Sequence, residues 1–287
     1  MSADHALIQP PPPMHIGGQG TPLVLLHGIG GTWEIWKPVL PQLEAHHRVI
    51  ALTLPGHFGG PPVAGEGDAT VARLADQVIG ILRDRGIDRA HVAGNSLGGW
   101  LSLELARRGF ASTVTAFSPA GGWRNDDDYR AIAKPFRIFF AVAGVILALA
   151  TPLARFAWVR RTLTREMMEC GERLPRSDFL QILRAMANTS VLPALLRTMN
   201  HGGFTAMSPG GTVPIVVAWG EHDRVIPYEK YGASFRDRID RLAETVVAAA
   251  GHVPMWDNPQ GVVAQILAAT GPVDQLQAFA SAREPSV

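Results

Sequence analysis

Six short apolar runs rich in β-branched residues, at 23–26, 48–53, 90–95, 113–117, 213–219 and 244–248, alternate along this chain with stretches of helical periodicity. Strands separated by helices pair in parallel, and a parallel sheet must bury both its faces. The pattern therefore predicts an α/β fold, a mostly parallel central sheet with helices on both faces. The clearest helix lies between the second and third runs, where Val71, Leu74, Val78, Ile81 and Leu82 share one face. Asp68 is placed to cap its start and Gly86 to end it. Sheets of this kind bind ligands beyond the carboxyl ends of their strands, so chemistry is sought in the loops there.

The third run leads into Gly94-Asn95-Ser96-Leu97-Gly98 and then into the helix-forming Gly99-Trp100-Leu101-Ser102-Leu103-Glu104. A G-x-S-x-G serine between strand and helix is held at the apex of a sharp turn with its hydroxyl exposed. The flanking glycines let the two elements approach where a β-carbon would clash. Composition alone would produce the pattern in about one such chain in eight, so its weight depends on what accompanies it. A serine hydroxyl needs a base beside it and a third group to hold that base in the right tautomer. The run ending at Trp219 opens into Gly220-Glu221-His222-Asp223-Arg224-Val225, and the run ending at Ala248 is followed by Gly251-His252-Val253-Pro254. Near the N-terminus, Pro22-Leu23-Val24-Leu25-Leu26 runs into His27-Gly28-Ile29-Gly30-Gly31.

At these four places the chain resembles the α/β-hydrolase superfamily, whose triad runs in the order serine, acid, histidine. The resemblance implies Ser96 as nucleophile, His252 as base and Asp223 as its orienting acid. The family spacing G-x-x-D-x-x-x-P selects Asp223 over its neighbours Glu221 and His222. It also implies an oxyanion hole made by the backbone N–H groups of Ile29 and Leu97. His27 is expected to order its own loop, and Asp257 to cap the helix beginning near Pro259. Gly30, Trp100, Val225 and Val253 are candidate substrate contacts. The chemistry needs no metal and no organic cofactor.

The alternation breaks after Phe117, and the next strand-like run begins only at Val213. The intervening segment holds helical pieces punctuated by Pro135, Pro152, Pro175 and Pro193, and it resembles the helical cap that many α/β-hydrolases carry over the active site. The expected organisation is an N-terminal arm at 1–20, a hydrolase core at 21–120 and 206–274, a cap at 121–205 and a C-terminal tail at 275–287. Within the cap, Ile138 to Ala150 carries no charge. Thirteen residues are too few for a bilayer span of about 20, which leaves a helix buried between cap and core, a pocket wall or an interfacial surface. Residues 121–205 hold 12 Lys or Arg against 7 Asp or Glu, a net of +5, and the remainder 14 against 18, a net of −4. A basic cap suits anionic substrates or anionic lipid.

The whole chain of 287 residues has a formal net charge of +1, which argues against nucleic acid as its target. Its lone cysteine, Cys170, excludes an internal disulfide and fits a reducing compartment. With no basic and apolar leader among residues 1–14, the cytoplasm is the expected location. A serine at the elbow argues against haloalkane dehalogenase and epoxide hydrolase chemistry, which uses an aspartate there in this superfamily. The expected activity is a serine hydrolase that cleaves a carboxylic ester of an apolar small molecule through an acyl-enzyme. The alternatives are a carbon-carbon bond hydrolase of ring-cleavage products and a non-catalytic ligand-binding protein of the same fold.

Overall fold

The computed structural model describes residues 10–65, 69–199, 203–204 and 213–281. Seven strands form one sheet: β1 (Met14–Gly17), β2 (Pro22–Leu26), β3 (Arg48–Leu52), β4 (Ala90–Asn95), β5 (Ala111–Phe117), β6 (Ile215–Gly220) and β7 (Ala243–Val247). Their spatial order is β1-β3-β2-β4-β5-β6-β7, with every pair parallel except β1 on β3. Helices α1 (Leu40–Glu44), α2 (Val71–Arg83) and α3 (Leu97–Arg107) belong to the first half. Between β5 and β6 come α4 (Asp126–Leu153), α5 (Ala157–Thr164), α6 (Arg176–Ala187) and α7 (Leu192–Thr198). After β6 follow α8 (Tyr228–Tyr231), α9 (Ala233–Arg236), α10 (Pro254–Asp257) and α11 (Pro259–Ser281).

The side-chain alternation of β2 divides the core in two. Val24 and Leu26 join one buried cluster with Leu74, Val78 and Leu101 of α2 and α3. Leu23 and Leu25 join the other, with Val262 and Ile266 of α11. The sheet is thus covered on both faces, as parallel strands require.

Three local expectations need correction. Met14–Gly17, placed in the N-terminal arm, is an edge strand paired antiparallel to β3. Its four residues are too few and too mixed to show alternation. Asp68 lies outside the described residues, and the cap of α2 is Thr70, whose hydroxyl accepts from the Arg73 N–H at 3.1 Å. At the C-terminus, α11 runs on through Pro272 to Ser281, well into the segment read as tail.

Of the three placements open to Ile138 to Ala150, burial between cap and core is excluded. The segment lies within the 28-residue helix α4, toward its C-terminal end, and Pro135 and Pro152 lie within that helix without ending it. Pro175 and Pro193 stand instead at helix starts, before α6 and in the first turn of α7, where a missing N–H costs nothing. The segment is not buried between two layers. Ala143 and Ala150 are covered, whereas Val145 and Leu149 are 61% and 68% exposed.

The loop after β2 is set by buried histidines. His27 Nδ1 donates to the Gly28 carbonyl at 2.7 Å, and its Nε2 accepts from the Leu54 N–H at 2.9 Å, so the ring is neutral. Its edge meets His57 with centroids 4.9 Å apart. Burial, then the neighbouring His57, hold His27 well below the usual imidazole range. Burial pushes His57 down to about 4.

Two predictions follow from this packing. A β-carbon on Gly98 would run into the carbonyls of Leu26 and His27, whereas one on Gly80 of α2 meets nothing. Gly98→Ala should cost about 3 kcal/mol or more in a denaturant titration, while Gly80→Ala should gain about 0.5–1 kcal/mol. Equal effects would contradict the close approach. Because the unfolded chain protonates His27 and His57 near pH 6.5 and the folded chain does not, stability is complete above that pH and falls as pH drops toward 4. The slope is at most about 1.4 kcal/mol per pH unit for each ring. His57→Asn should flatten the stability profile between pH 6.5 and 4.5, and an unchanged slope would exclude His57 as its source.

Candidate active site

Ser96 is the residue between β4 and α3, and its backbone sits at φ 56°, ψ −115°. A non-glycine residue at positive φ stores about 1–3 kcal/mol of strain and persists only where its surroundings fix it. Here they do. The Ser96 N–H donates to the Phe117 carbonyl at 2.9 Å, and the Ser96 carbonyl accepts from Ala120 at 2.9 Å and from Trp100 at 3.1 Å. Glycine at 94 and 98 is required because a β-carbon at either would strike backbone: the Gly98 carbonyl in the first case and the Leu26 carbonyl in the second.

Asp223 lies in the loop after β6 with its side chain wholly buried. One carboxylate oxygen accepts from the N–H groups of Val225 at 2.9 Å and Ile226 at 2.8 Å. The other lies 2.8 Å from His252 Nδ1. A carboxylate can only accept, so the imidazole carries its proton on Nδ1 and leaves Nε2 as a base. The two rival acceptors near Asp223 are engaged elsewhere. Glu221 accepts from the Ala249 N–H at 2.8 Å, and His222 faces Glu169 at 3.7 Å.

Ser96 and His252 line one cavity of about 70 Å³. Ile29 and Gly30 from the loop after β2 line it too, as do Phe136, Met167, Ile182 and Met186 from the insertion. Leu97 opens α3, so its N–H is one of the first-turn donors without an intrahelical acceptor. It points the positive end of the α3 dipole at the Ser96 turn. Among the described residues neither Leu97 nor Ile29 donates its N–H in a backbone hydrogen bond outside regular elements. The acidic wall residues Glu34 and Asp178 share Lys37, which reaches them at 2.7 and 2.9 Å and bridges the β2 loop to α6.

Of the four candidate substrate contacts, Gly30 and Val253 line the cavity and Trp100 and Val225 do not. Trp100 is buried in the core, edge-on to Trp123 with centroids 5.3 Å apart. One turn beyond Ser96, its ring packs beside Gly121 and Trp123, after β5, and does not line the cavity. Val225 contributes its backbone to Asp223.

Asn95 and Asp257 hold the site in ways the sequence does not reveal. Asn95 Nδ2 donates to the His252 carbonyl at 2.8 Å and to the Phe117 carbonyl at 3.2 Å, tying the histidine loop to the end of β5. Asp257 was expected to cap a helix, but Asn258 does that, its Oδ1 accepting from Gly261 at 2.9 Å. The Asp257 carboxylate accepts instead from Gly251, Glu169 and Cys170, each at 2.9 Å. Together with the 2.9 Å bond from the Val253 N–H to the Met167 carbonyl, it fastens the histidine loop to the insertion. No local pattern announces such partners, since they lie up to 157 residues away.

A sequence profile of the alpha/beta hydrolase family matches residues 23–265. A pimeloyl-[acyl-carrier protein] methyl ester esterase of Aeromonas hydrophila is 42% identical over 252 residues, 85% of this chain and 92% of the esterase. An epoxide hydrolase of Mycobacterium tuberculosis is 32% identical over 198 residues, 66% of this chain and 89% of that enzyme. A dihydrolipoyllysine-residue acetyltransferase component of an acetoin cleaving system, from Pseudomonas putida, is 31% identical over 260 residues. That match takes in 88% of this chain, which spans only 64% of the longer relative. With the parallel sheet, the turn at Ser96 and a profile match over most of its length, this chain belongs to the alpha/beta hydrolase family and is an enzyme of the hydrolase class.

Proposed function

We propose that this hydrolase cleaves carboxylic esters of small apolar acids through an acyl-enzyme on Ser96. The observation that carries the reading is the 2.8 Å contact of His252 Nδ1 with the buried Asp223 carboxylate, in a cavity that Ser96 also lines. His252 Nε2 takes the hydroxyl proton as Ser96 Oγ attacks the ester carbonyl, and the negative charge that builds on the carbonyl oxygen is received by the N–H groups of Ile29 and Leu97. Asp223 stabilises the imidazolium. The ester C–O bond then breaks, and the alkoxide leaves with the proton held by His252. Water repeats the sequence on the acyl-enzyme, giving the free acid and restoring the Ser96 hydroxyl.

The insertion acts as the cap that selects the acyl group. Its Phe136, Met167, Ile182 and Met186 make the wall apolar, and a volume of about 70 Å³ holds roughly five water-sized groups. Short acyl chains fit that space as it stands, and long ones require the cap to move. A relative named as a methyl ester esterase is in keeping with ester cleavage. Serine at the elbow, where epoxide hydrolases of this superfamily use aspartate, favours acyl transfer over epoxide opening. The single thiol, Cys170, fits a reducing compartment such as the cytoplasm.

The test is a series of p-nitrophenyl esters from acetate to palmitate. Short chains should be hydrolysed faster than palmitate, and Ser96→Ala and His252→Ala should each lower kcat by about four orders of magnitude or more. Asp223→Asn should lose about as much by favouring the wrong tautomer. Activity near wild type in any of the three would overturn the assignment. Asn95→Ala and Asp257→Ala, which touch no reacting atom, should lower kcat by about tenfold to a hundredfold through a displaced His252, with KM nearly unchanged. A rise in KM at constant kcat would show instead that they shape substrate binding.

A further inference from the structure

The outer face of α4 is apolar and exposed, and among the described residues nothing covers it. Ile138, Val142, Val145, Leu149 and Leu153 are 57%, 42%, 61%, 68% and 42% exposed. At about 100° per residue they fall within roughly 80° of arc and extend for about 22 Å along the helix. Ala141, Gly144, Ala148 and Pro152 widen the strip along one side and are exposed as well. Just past the helix, Trp158 is 64% exposed and stacks on Phe156 with centroids 6.5 Å apart, and the Arg155 guanidinium lies 4.7 Å over the Phe156 ring. A continuous apolar strip of this length on a monomer marks an interaction surface.

Charge identifies the partner. The 37 residues from Tyr129 to Arg165 include seven Lys or Arg and no Asp or Glu. Arg160 is used internally, donating to the Ala154, Arg155 and Glu172 carbonyls. Arg137 donates to the Leu196 carbonyl at 3.3 Å, and Arg130 and Arg165 pair with Asp126, Asp127 and Glu166 just outside this stretch. Lys134 and Arg137 stand exposed at one end of the strip, and Arg155 and Arg161 at the other. A second copy docked by two-fold symmetry would bring one cationic rim against another, and the acids flanking the stretch, Asp126, Asp127 and Glu166, are already paired with Arg130 and Arg165. An anionic lipid surface offers apolar depth for the strip, negative headgroups for both rims and an interfacial level for Trp158.

We propose that α4 seats this protein on anionic phospholipid bilayers, lying in the interface with its outer face among the lipids. Twenty-eight residues are enough to span a bilayer, which needs about 20, but the inner side of α4 is already committed. Phe136 lines the cavity, Phe140 packs where a β-carbon on Gly30 would sit, and Ala143 and Ala150 are buried. Only one face is open to lipid, so the helix lies on the membrane and does not cross it. The docking is independent of the chemistry proposed for Ser96.

The test is flotation of the full chain with vesicles of equal parts phosphatidylcholine and phosphatidylglycerol, and with phosphatidylcholine alone. The wild type and Ser96→Ala should both float with the anionic vesicles, with binding at least about tenfold weaker to phosphatidylcholine and weakened by salt. Val145→Glu/Leu149→Glu should reduce flotation at least about tenfold while hydrolysis of a soluble short-chain ester stays at the wild-type rate, a control for folding that touches no cavity residue. Arg155→Gln/Arg161→Gln should remove much of the preference for anionic vesicles. Absence of flotation with anionic vesicles would overturn the proposal. So would a dimer in sedimentation velocity that Val145→Glu/Leu149→Glu dissociates, because that result would assign the face to a second copy.

Discussion

The site depends on one close approach: α3 begins so near the ends of β2 and β4 that only hydrogen fits at the α-carbons of Gly94 and Gly98. That contact forces the chain through the positive-φ turn at Ser96, and the strain is held by hydrogen bonds to Phe117, Ala120 and Trp100. A parallel sheet brings the loops after β2, β6 and β7 to the same edge, each already ordered by its own contacts. Buried neutral His27 sets the first, the Val225 and Ile226 amides set Asp223 in the second, and Asn95 and Asp257 hold the third. The serine turn is thus rigid before any substrate arrives, which acyl-transfer chemistry rewards.

The insertion is fastened to this edge and does not merely lie above it. Asp257 joins the histidine loop to Glu169 and Cys170, the Met167 carbonyl receives the Val253 N–H, and Lys37 joins Glu34 to Asp178. Movement of the insertion is therefore mechanically linked to the position of His252. Helix α4 has two distinct faces: Phe136 lines the cavity and Phe140 packs against Gly30, while Val145 and Leu149 face outward.

The strands of the parallel sheet were legible because each is a short apolar run buried on both faces, and the serine turn because glycine spacing is a local signal. What escaped depends on partners distant in sequence. Met14–Gly17 is a strand only because β3 offers it an edge. Asn95 and Asp257 reveal their roles only through contacts 157 and 88 residues away, and Trp100 was misassigned because its position near Ser96 says nothing about which way its ring turns. For the segment from Ile138 to Ala150 the sequence left burial, a pocket wall and an interfacial surface open. Its apolar composition fits each of them, because hydropathy does not distinguish a helix covered by protein from one with a face left open.

The central claim is that Ser96 is a nucleophile activated by His252 and Asp223. It is tested most directly by reacting the protein with a fluorophosphonate and locating the adduct by peptide mass spectrometry. One adduct on Ser96, formed quickly in the wild type and slowed by orders of magnitude in His252→Ala, is the predicted result. A wild-type protein that stays unlabelled, or carries its adduct on another residue, would contradict the account.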